Sequence, residues 1–541
     1  MSKSVGEIKK TIQQMVAGHL DGKMIKTDEM LLDSGLSSQA TTELSMKLSK
    51  EFGVKIRPTV MFTSPTIDAI AIRVQELMDV NKQAVTAPTE EEDEEEEVKE
   101  DNVRHDAHIA AWGIATPFPV SAARFLEVDR RERTKKGQPE KVMKQMETLV
   151  KSSRITNRHS CHPIYLPEGK TAKDYPDAVG FVTHDIYGTH PESNPPLTTR
   201  MACYPETAVK MCAIAAERAL KKWGKDKMLI THVLTTCTSG WAEPGIGCGV
   251  IKHLGLSEDV QKAELNFNGC FCGATCLRLA NDIIKAGSAT AVLIVACEVA
   301  TTHYDWGQTE TELMIAQSLF ADGAASLIVA REGLWKFSQT GSSIVPDSGH
   351  LLGLKPPLKD NETCYQMTLS KHVSPSLYSY FSKGHGREIL KKLYKPREAK
   401  PALAIHPGGP RILEAVGDVF FELGWAEDAL DGSYDTFSNF GNLGSAAMLF
   451  VIAHRLGQDN IKEDKLVTMA FGPGVTVEYA QLERSSVAAK KAKAAKKAKA
   501  QAMGKEEGGT SGVMLMMMMM NTIFMLALGG FFVHQSGLLS Q

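Results

Sequence analysis

The sequence has almost no net charge, and it opens without the apolar stretch of a secretory signal. Its 61 Lys and Arg residues nearly balance 64 Asp and Glu residues, which leaves a formal net charge of −3, so no general attraction to nucleic acid is expected. The opening residues MSKSVGEIKKTIQQM contain no charged segment followed by an apolar run. We therefore expect a cytosolic chain whose ten cysteines stay reduced and form no disulfide framework.

The sequence also lacks the paired Cys or His clusters of a zinc site. Cys270, Cys272 and Cys276 lie close together in NFNGCFCGATCLRLAND, but their spacing is Cys-x-Cys-x₃-Cys and no second cluster accompanies them. Structural zinc sites need two clusters that converge, so we expect no metal. Cys272 and Cys276 would share one helix face, where small thiols pack as buried apolar groups.

A length of 541 residues exceeds what one hydrophobic core supports and favours three or four domains. Residues 1–80 are predicted to form a small all-α helical bundle, because apolar residues recur there at the spacing of amphipathic helices. The residues that carry this pattern are Ala40, Leu44, Leu48 and Phe52 in one helix, and Ile67, Ile70, Ala71 and Val74 in another that starts after Ser-Pro-Thr.

Residues 81–106 are predicted to be an acidic flexible linker, because the unbroken carboxylates from Glu90 to Glu97 repel one another and favour an extended chain. In residues 107–484, apolar segments rich in β-branched residues alternate with helical ones; MLITHVLTTCTSG and ATAVLIVACEVATT are examples. This pattern is typical of strands buried on both faces of a sheet. We predict an α/β layered fold with halves at roughly 107–335 and 336–484.

The C-terminal part differs again. Residues 485–512 form a Lys/Ala-rich flank, and residues 513–533, VMLMMMMMNTIFMLALGGFFV, contain no charge. A helix of that length spans roughly 30 Å, the thickness of a bilayer's hydrocarbon core. We expect a transmembrane tail anchor, with the basic flank and the catalytic domains facing the cytoplasm. A terminal helix docked on the protein itself is the alternative.

Cys270 differs from the other two cysteines in its setting. It follows the extended segment AELNFNG and precedes a predicted helix, whose unpaired N–H groups and dipole stabilise a thiolate. A nucleophilic cysteine also needs a base and an oxyanion donor. The candidates are His406, after a predicted strand, and Asn442, in a Gly-flanked turn before an apolar helix, since reactive groups of α/β folds lie in such loops. Periodicity alone does not distinguish His406 from a structural histidine.

Five motifs taken together resemble the chalcone-synthase-like type III polyketide synthases of the thiolase superfamily. They occur in the family's order over roughly residues 107–484. They are GCFCGAT around Cys270, SLFADGAA with Phe320, IHPGGP with His406, FGNLGSA with Asn442, and MAFGPGVTVE at 469–478. The resemblance implies a homodimeric acyltransferase with a thiolase-like fold, which takes an acyl-CoA or acyl-carrier starter and extends it with malonyl thioester.

The family's roles then apply by position. The residue matching Cys270 carries the acyl chain. The residue matching His406 pairs with it as imidazolium and, with the residue matching Asn442, donates hydrogen bonds to the thioester oxygen of the enolate formed when malonyl thioester loses CO₂. The enolate attacks the Cys270-bound acyl group in a decarboxylative Claisen condensation. Phe320 matches the gate between the tunnel and the acyl cavity.

Several cavity positions depart from the plant relatives. Met367 stands in place of a second gating Phe, Gly444 in place of a cavity Ser, and His303 in place of a cavity Thr. Glu243 replaces a Met that enters the neighbouring subunit's site. The aromatic starter of the plant enzymes is therefore not implied.

The basic cluster that meets the CoA phosphates in the family is also altered. Its positions fall on Gln145, Thr148 and Ser152, although Lys144 and Lys151 stand beside them. A weakened phosphate clamp is consistent with acyl groups that arrive on something other than free CoA.

The N-terminal segment LLDSGLSSQATTELSMKLSKEFGVKIRPTVMFTSPTI resembles an acyl carrier protein. The resemblance implies 4′-phosphopantetheine, attached to Ser38 by a phosphopantetheinyl transferase. Ser37 and Gln39 replace the usual Asp and Leu around it, and mere capping of a helix by Ser37 and Ser38 is the alternative. A carrier on a flexible linker raises the local concentration of its acyl group to roughly millimolar, so we expect it to feed Cys270.

Other functions remain open at this point. A single-step 3-oxoacyl synthase-type condensing enzyme would share Cys270, His406 and Asn442 but release a singly extended product. A catalytically idle, membrane-tethered carrier or scaffold is disfavoured by the intact set of three. The starter, the number of condensations and the mode of cyclisation depend on the shape of the cavity.

Overall fold

The computed structural model describes residues 4–20, 22–31, 34, 38–54, 56, 66–85, 105–179, 186–189, 195–357, 364–394, 399–457, 461 and 463–485. It divides into two compact units, Met1–Glu100 and Asp101–Gln541. The acidic run, the basic flank after residue 485 and the predicted span at 513–533 lie outside the described residues. Within the described ranges, no helix is long and apolar enough to cross a membrane.

The first unit is a helical bundle whose helices are Val5–Ala17, Ser38–Phe52 and Ile67–Val85. The predicted apolar spacing forms its core, since Leu44 and Leu48 pack against Ile67 and its neighbours with no exposed surface. Thr66 Oγ1 accepts a hydrogen bond from Ala69 N at 3.2 Å and so caps the last helix, as expected after Ser-Pro-Thr. That helix continues past the predicted domain end at residue 80.

The second unit is built on a mixed nine-stranded sheet with the spatial order β11-β12-β13-β8-β1-β7-β6-β4-β5. Two further pairs, β2 with β3 and β9 with β10, form small antiparallel sheets. The strands are β1 His108–Ala115, β2 Phe118–Ser121, β3 Asn157–Ser160, β4 Ile230–Thr236, β5 Gln261–Glu264, β6 Ala291–Val299, β7 Asp322–Ala330, β8 Trp335–Ile344, β9 Leu352–Lys355, β10 Gln366–Leu369, β11 Ala402–Ile405, β12 Lys465–Gly472 and β13 Thr476–Arg484.

Helices cover the sheet and supply the connections between its strands. They are Ala122–Lys135, Glu140–Ser153, Ile186–Thr189, Leu197–Met201, Tyr204–Trp223, Ile246–Leu254, Cys272–Lys285, Thr311–Leu319, Val373–Ser382, Gly384–Leu393, Pro410–Glu422, Asp431–Phe440 and Ala447–Gly457. The predicted helix after Cys270 is the one at Cys272–Lys285. Gly287 follows the C-cap Ala286 and has a φ of +77°, a conformation that favours glycine at a helix end.

β1 joins the two predicted halves of this unit, because it pairs antiparallel with both β7 and β8. The parallel pairs β4–β5, β4–β6 and β11–β12 lie to either side. Every residue of β6 is buried, as its apolar sequence predicted. The helices Cys272–Lys285 and Ala447–Gly457 share one apolar core with strands of both halves.

The close approach of these two helices requires glycine at one position. A Cβ on Gly273 would lie only 2.3 Å from the carbonyl oxygen of Ser445. The first turn of the helix after Cys270 therefore rests directly on the turn that follows Asn442, and two distant motifs of the sequence meet here.

Candidate active site

Cys270 lies in the turn between β5 and the helix Cys272–Lys285. Phe271 is the N-cap of that helix, so Cys270 immediately precedes the cap. Gly269 has a φ of +90°, and a Cβ on it would lie 2.4 Å from Pro473 Cδ. Glycine therefore permits both the backbone turn and the contact with the FGPG loop, which packs directly against the candidate nucleophile.

The surroundings of Cys270 and His406 do not favour the charged thiolate–imidazolium pair that the resemblance implies. Burial, followed by the negative charge of Glu298, raises the pKa of the Cys270 thiol to about 12, the reverse of the predicted thiolate stabilisation. Burial likewise lowers the pKa of His406 to about 3. Desolvation outweighs the partial charge of the helix N-terminus here, so both groups are neutral at pH 7 and the predicted thiolate–imidazolium pair is disfavoured.

His406 and Asn442 converge on one backbone turn. His406 follows β11 and its N–H donates to Met469 O at 2.8 Å. Asn442 donates from Nδ2 to Gly408 O at 3.1 Å, and a Cβ on Gly408 would lie 3.3 Å from His406 Nε2. Both side chains are almost fully buried. The two predicted partners of Cys270 thus lie together, although they are far apart in the sequence.

Phe320, the predicted gate, lies in a segment that main-chain hydrogen bonds join to Asn442. Phe320 and Asn442 form an isolated parallel bridge. Asn442 N donates to Leu319 O at 2.8 Å, and Ala321 N donates to Asn442 O at 3.0 Å. Phe320 and Asn442 therefore occupy adjacent positions in a fixed register.

A cavity that is partly open to solvent brings most of the predicted residues together. The predicted residues in its wall are Cys270, His303, Phe320, Met367 and Gly444. Much of the remaining wall is aliphatic, with Leu313, Ala316, Leu352 and Leu354. His406 and Asn442 are not part of the wall, but Asn442 Oδ1 accepts a hydrogen bond from Gly444 N at 2.9 Å. The cavity thus places Cys270 beside an aliphatic wall, which is the environment that an acyl chain requires.

The glycine at position 444 has a local physical reason. Its φ is +50°, and a Cβ there would lie 2.9 Å from Glu298 Cγ. A serine in this place would be strained and would press on that carboxylate. The departure from the plant relatives is thus coupled to the position of Glu298.

Glu298 is a residue of the site that sequence reasoning missed. It lies in the cavity wall and is 2% exposed. Its carboxylate accepts hydrogen bonds from Ser239 N at 2.9 Å, Ser445 N at 3.0 Å and Ser445 Oγ at 2.6 Å. The signal was present, because Glu298 is the one charged residue inside the apolar run ATAVLIVACEVATT.

Tyr365 was also missed, and no local signal marked it. It lines the same cavity, and its ring centroid lies 4.1 Å from that of His303. The residues are distant in the sequence, so their contact depends on the tertiary fold.

The altered phosphate clamp lies on the helix Glu140–Ser153. Gln145 Nε2 donates to Thr311 Oγ1 at 3.3 Å, and the hydroxyls of Thr148 and Ser152 donate to carbonyls of their own helix. Lys151 forms an ion pair with Glu147 at 2.7 Å. The positions matched to the family's clamp therefore carry no charge.

The remaining predicted positions are described only in part. The helix Ser38–Phe52 begins at Ser38, whose side chain lies outside the description. Glu243 is exposed. Within the part of the chain that the structure describes, no group of three His, Cys, Asp or Glu residues could hold a metal ion.

Three family models match the chain. The model for the N-terminal domain of chalcone and stilbene synthases matches residues 95–333, and the model for their C-terminal domain matches residues 388–486. A phosphopantetheine attachment site model matches residues 10–74, which include Ser38. The beginning of the helix at this serine fits the attachment of that group.

Solved structures share the fold. The C-terminal type III polyketide synthase domain of a type I/III hybrid from Dictyostelium is 22% identical, with a TM-score of 0.59 over 70% of this chain and 99% of that one. A type III pentaketide synthase from Neurospora crassa is 23% identical, with a TM-score of 0.58 over 70% and 100%. PKS-I from the brown alga Ectocarpus siliculosus is 21% identical, with a TM-score of 0.60 over 71% and 100%.

These likenesses establish the thiolase-like fold of the second unit. The two synthase models together cover more than half of the chain, and the turn that carries Cys270 lies within the first of them. The chain therefore belongs to the chalcone and stilbene synthase family: it is a polyketide synthase-type condensing enzyme with an N-terminal phosphopantetheine-attachment domain.

Proposed function

We propose that the chain loads an acyl starter onto Cys270 and extends it by decarboxylative Claisen condensation with a malonyl thioester. The observation that supports this is the cavity that includes Cys270 in its wall. Attack of the sulfur on the starter thioester forms a Cys270 thioester, breaks the C–S bond to the donor and releases the donor as thiolate. Malonyl thioester then loses CO₂, and the enolate carbon attacks the Cys270-bound carbonyl. A C–C bond forms, the C–S bond breaks, and Cys270 leaves as thiolate.

His406 first accepts a proton and then donates a hydrogen bond, and Asn442 donates a second hydrogen bond. Because burial holds Cys270 protonated, its proton passes to His406 as the sulfur attacks the starter. The imidazolium then formed and the Asn442 amide donate to the oxygen of the malonyl-derived enolate. One such donor is typically worth ~3–4 kcal/mol of barrier. Asn442→Ala should therefore slow condensation by about 10²–10³-fold while Cys270 still loads.

We further propose that the acyl groups come from the chain's own carrier domain. The attachment-site match at residues 10–74, the uncharged clamp positions Gln145, Thr148 and Ser152, and the helix that begins at Ser38 support this. 4′-Phosphopantetheine, when bound to Ser38, supplies the thiol that holds an acyl group as a thioester. Because carrier and synthase belong to one chain, delivery to Cys270, in the same chain or a dimer partner, is effectively intramolecular.

Mapping of modified residues tests both proposals. The full chain is coexpressed with a phosphopantetheinyl transferase, incubated with malonyl-CoA and a mixed set of acyl-CoA starters, and analysed by peptide mass. We expect acyl mass on the arm at Ser38 and directly on Cys270, together with released polyketide. Ser38→Ala should lower turnover at limiting starter, and Cys270→Ala should abolish it.

The same experiment distinguishes the alternatives. Loading of Cys270 with Ser38 unmodified would contradict delivery by the carrier and leave an enzyme that uses free CoA thioesters. A singly extended product would identify a 3-oxoacyl synthase-type enzyme. No loading of Cys270 by any starter would contradict the condensing role.

A homodimer is part of the proposal. Trp241 and Phe267 are large apolar side chains that are 64% and 52% exposed. Glu243, two residues after Trp241, is also exposed. Exposed aromatic side chains are enriched at subunit interfaces. Light scattering of the purified chain should give twice the mass of the monomer; a monomer at micromolar concentration would contradict this.

We also propose that residues 513–533 anchor the protein in a membrane, with both catalytic domains on the cytoplasmic side. The uncharged length of the segment and the Lys-rich flank before it support this. The full chain should sediment with vesicles and resist extraction by high salt or carbonate. Release by either treatment would contradict the anchor.

A further inference from the structure

His303 has one ring nitrogen whose role is fixed by its partner. Its Nε2 lies 2.6 Å from the carbonyl oxygen of Ser239. A carbonyl oxygen only accepts, so Nε2 carries the hydrogen and donates it. In a neutral imidazole the other nitrogen, Nδ1, then has a lone pair and no hydrogen. Nδ1 is buried and has no hydrogen-bond partner.

The orientation of the ring is fixed on two sides. His303 ends the short helix Ala300–His303 that follows β6, and Tyr365 stacks on it with an interplanar angle of 30°. Rotation of the ring by half a turn would break the hydrogen bond to Ser239. Burial lowers the pKa of His303 to about 4, so the ring stays neutral and Nδ1 remains an acceptor at pH 7.

Other polar groups of the cavity wall already have partners. Glu298 is held by backbone and serine donors, Ser239 Oγ accepts from Val299 N at 2.7 Å, and Gln317 bonds to Arg133 and to Asp305 O. Among the described wall residues, Thr238 Oγ1 and His303 Nδ1 are the buried polar atoms without a partner. An unpaired buried acceptor is costly, and a bound ligand with a donor would remove that cost.

We propose that His303 Nδ1 accepts a hydrogen bond from an enolised β-ketone of the extended acyl chain on Cys270. This inference rests on the proposed function. An aliphatic starter has no O–H donor, whereas each condensation creates a β-keto unit whose enol form has one. His303 therefore acts only after extension has begun, and it determines what happens to the extended chain rather than which starter enters.

The hydrogen bond favours one of two ring closures. The enol carbon can attack the Cys270 thioester carbonyl, which forms a C–C bond, breaks the C–S bond and returns the enol proton to the sulfur. The enol oxygen can attack the same carbonyl and form a lactone with the same balance of bonds. An enol oxygen held at His303 is withdrawn from the second reaction, and its carbon stays nucleophilic. We infer that His303 favours closure through carbon.

Three substitutions distinguish the effect of the Nδ1 acceptor from that of the rest of the imidazole ring. His303→Gln keeps an N–H for Ser239 O but has no acceptor near Nδ1. His303→Phe keeps the ring stacked on Tyr365 and removes both nitrogens. His303→Asn places a carboxamide oxygen near the position of Nδ1. With an unsubstituted aliphatic starter, His303→Gln and His303→Phe should shift the ratio of carbocycle to lactone by about fivefold towards lactone. The ratio in His303→Asn should stay within about twofold of that in the protein with His303. Starter loading on Cys270 is measured in parallel.

A binding measurement keeps the test independent of turnover. The probe is a linear aliphatic 1,3-diketone, compared with the monoketone of equal length. The unchanged chain and the Asn variant should bind the diketone about fivefold more tightly than the monoketone, and Gln and Phe should lose that preference.

The outcomes are distinct. Unchanged product ratios and binding preference in both Gln and Phe would overturn the inference, as would an effect that appears only with a hydroxylated starter. Failure of the unchanged chain to load Cys270 would overturn the proposed function instead, and diketone binding would still decide the role of His303. If the Gln variant does not fold, by circular dichroism, the Phe variant carries the test.

Discussion

Cys270 is surrounded by groups that keep its proton in place. The Glu298 carboxylate lies in the same cavity wall and is held by N–H and O–H donors without a cation among the partners described above. Its negative charge adds to the larger effect of burial on the pKa of the thiol. A protonated thiol is a poor target for oxidants and alkylating agents, so the site is protected between turnovers.

The rate of Cys270 alkylation should therefore rise steadily with pH. Because the pKa of the thiol is near 12 and that of His406 near 3, neither group titrates between pH 6 and 9, and the thiolate fraction grows across this range. Iodoacetamide labelling of the Cys270 peptide, followed by mass spectrometry from pH 6 to 10, measures this. A plateau beginning near pH 6 would show a preformed thiolate–imidazolium pair and contradict the prediction.

Removal of the neighbouring charge should shift that profile. Glu298→Gln keeps the shape of the side chain and removes its negative charge, so labelling at a given pH should increase. The midpoint should stay above that of an ordinary thiol, because burial is the larger cause. Ser445→Ala is the matched control, since it removes one donor to Glu298 but leaves the charge. An unchanged profile in Glu298→Gln would show that the carboxylate does not act on Cys270.

At the scale of elements, the site depends on how closely the helix Cys272–Lys285 approaches the turn after Asn442. The nucleophile precedes this helix, and the amide donor precedes the helix Ala447–Gly457. Gly273 against the carbonyl of Ser445 sets their separation. A displacement there would move Cys270 away from His406 and Asn442, the proposed hydrogen-bond donors to the enolate oxygen. Misplacement by about 1 Å is enough to slow an enzyme about 10²-fold.

Gly273→Ala should therefore cost both stability and activity. Its Cβ would lie 2.3 Å from Ser445 O, a contact that backbone cannot relieve without moving the helix. Overpacking of this kind costs about 1–3 kcal/mol, and we expect condensation to fall by more than tenfold. Gly349→Ala is the control, because nothing lies within 4 Å of its added Cβ. Thermal melts and turnover of both variants measure the difference; equal behaviour would show that the approach is adaptable.

Local spacing predicted the elements, and family resemblance predicted which of them meet. The helices Ser38–Phe52 and Ile67–Val85 and the strand β6 follow from apolar periodicity, because each buries one face or both. Cys270, Phe320 and Met367, which the resemblance assigned to the site, line one cavity. The stacking of Tyr365 on His303 and the bridge between Phe320 and Asn442 were not predictable, since they join distant segments. The burial that raises the pKa of Cys270 is a tertiary property, so local sequence could not indicate it.

At the scale of the whole molecule, the second unit contains several histidines that burial keeps neutral. The pKa is lowered to about 4 in His159 and His303 and to about 3 in His162 and His406. An unfolded histidine has a pKa near 6.5, so the unfolded chain binds more protons between these values. The contribution of these neutral histidines to the free energy of unfolding is complete above about pH 6.5 and is lost as the pH falls towards 4. Asp322, whose pKa burial raises to about 6, acts in the opposite direction, as do Asp129 and Asp431, whose pKa values burial also raises.

The free energy of unfolding should accordingly fall steeply between pH 6.5 and 5. Each of the four histidines contributes up to about 2 kcal/mol of this loss at pH 5. His159→Phe should reduce the slope by about 1 kcal/mol per pH unit, because the new ring fits against Phe440, on which His159 stacks. His350→Phe, at an exposed position, should leave the slope unchanged. Urea titrations at several pH values measure it, and equal slopes in all three proteins would refute the linkage.

The bridge between Phe320 and Asn442 limits how this enzyme can acquire new products. Two main-chain hydrogen bonds join the segment of Phe320, which lines the cavity, to the segment of Asn442, so neither segment moves alone. An insertion or deletion beside Phe320 would disturb the position of Asn442 together with the shape of the cavity. Directed evolution of product range should therefore accumulate replacements of side chains deeper in the cavity, at positions such as Met367, and should leave the length of the chain around residue 320 constant.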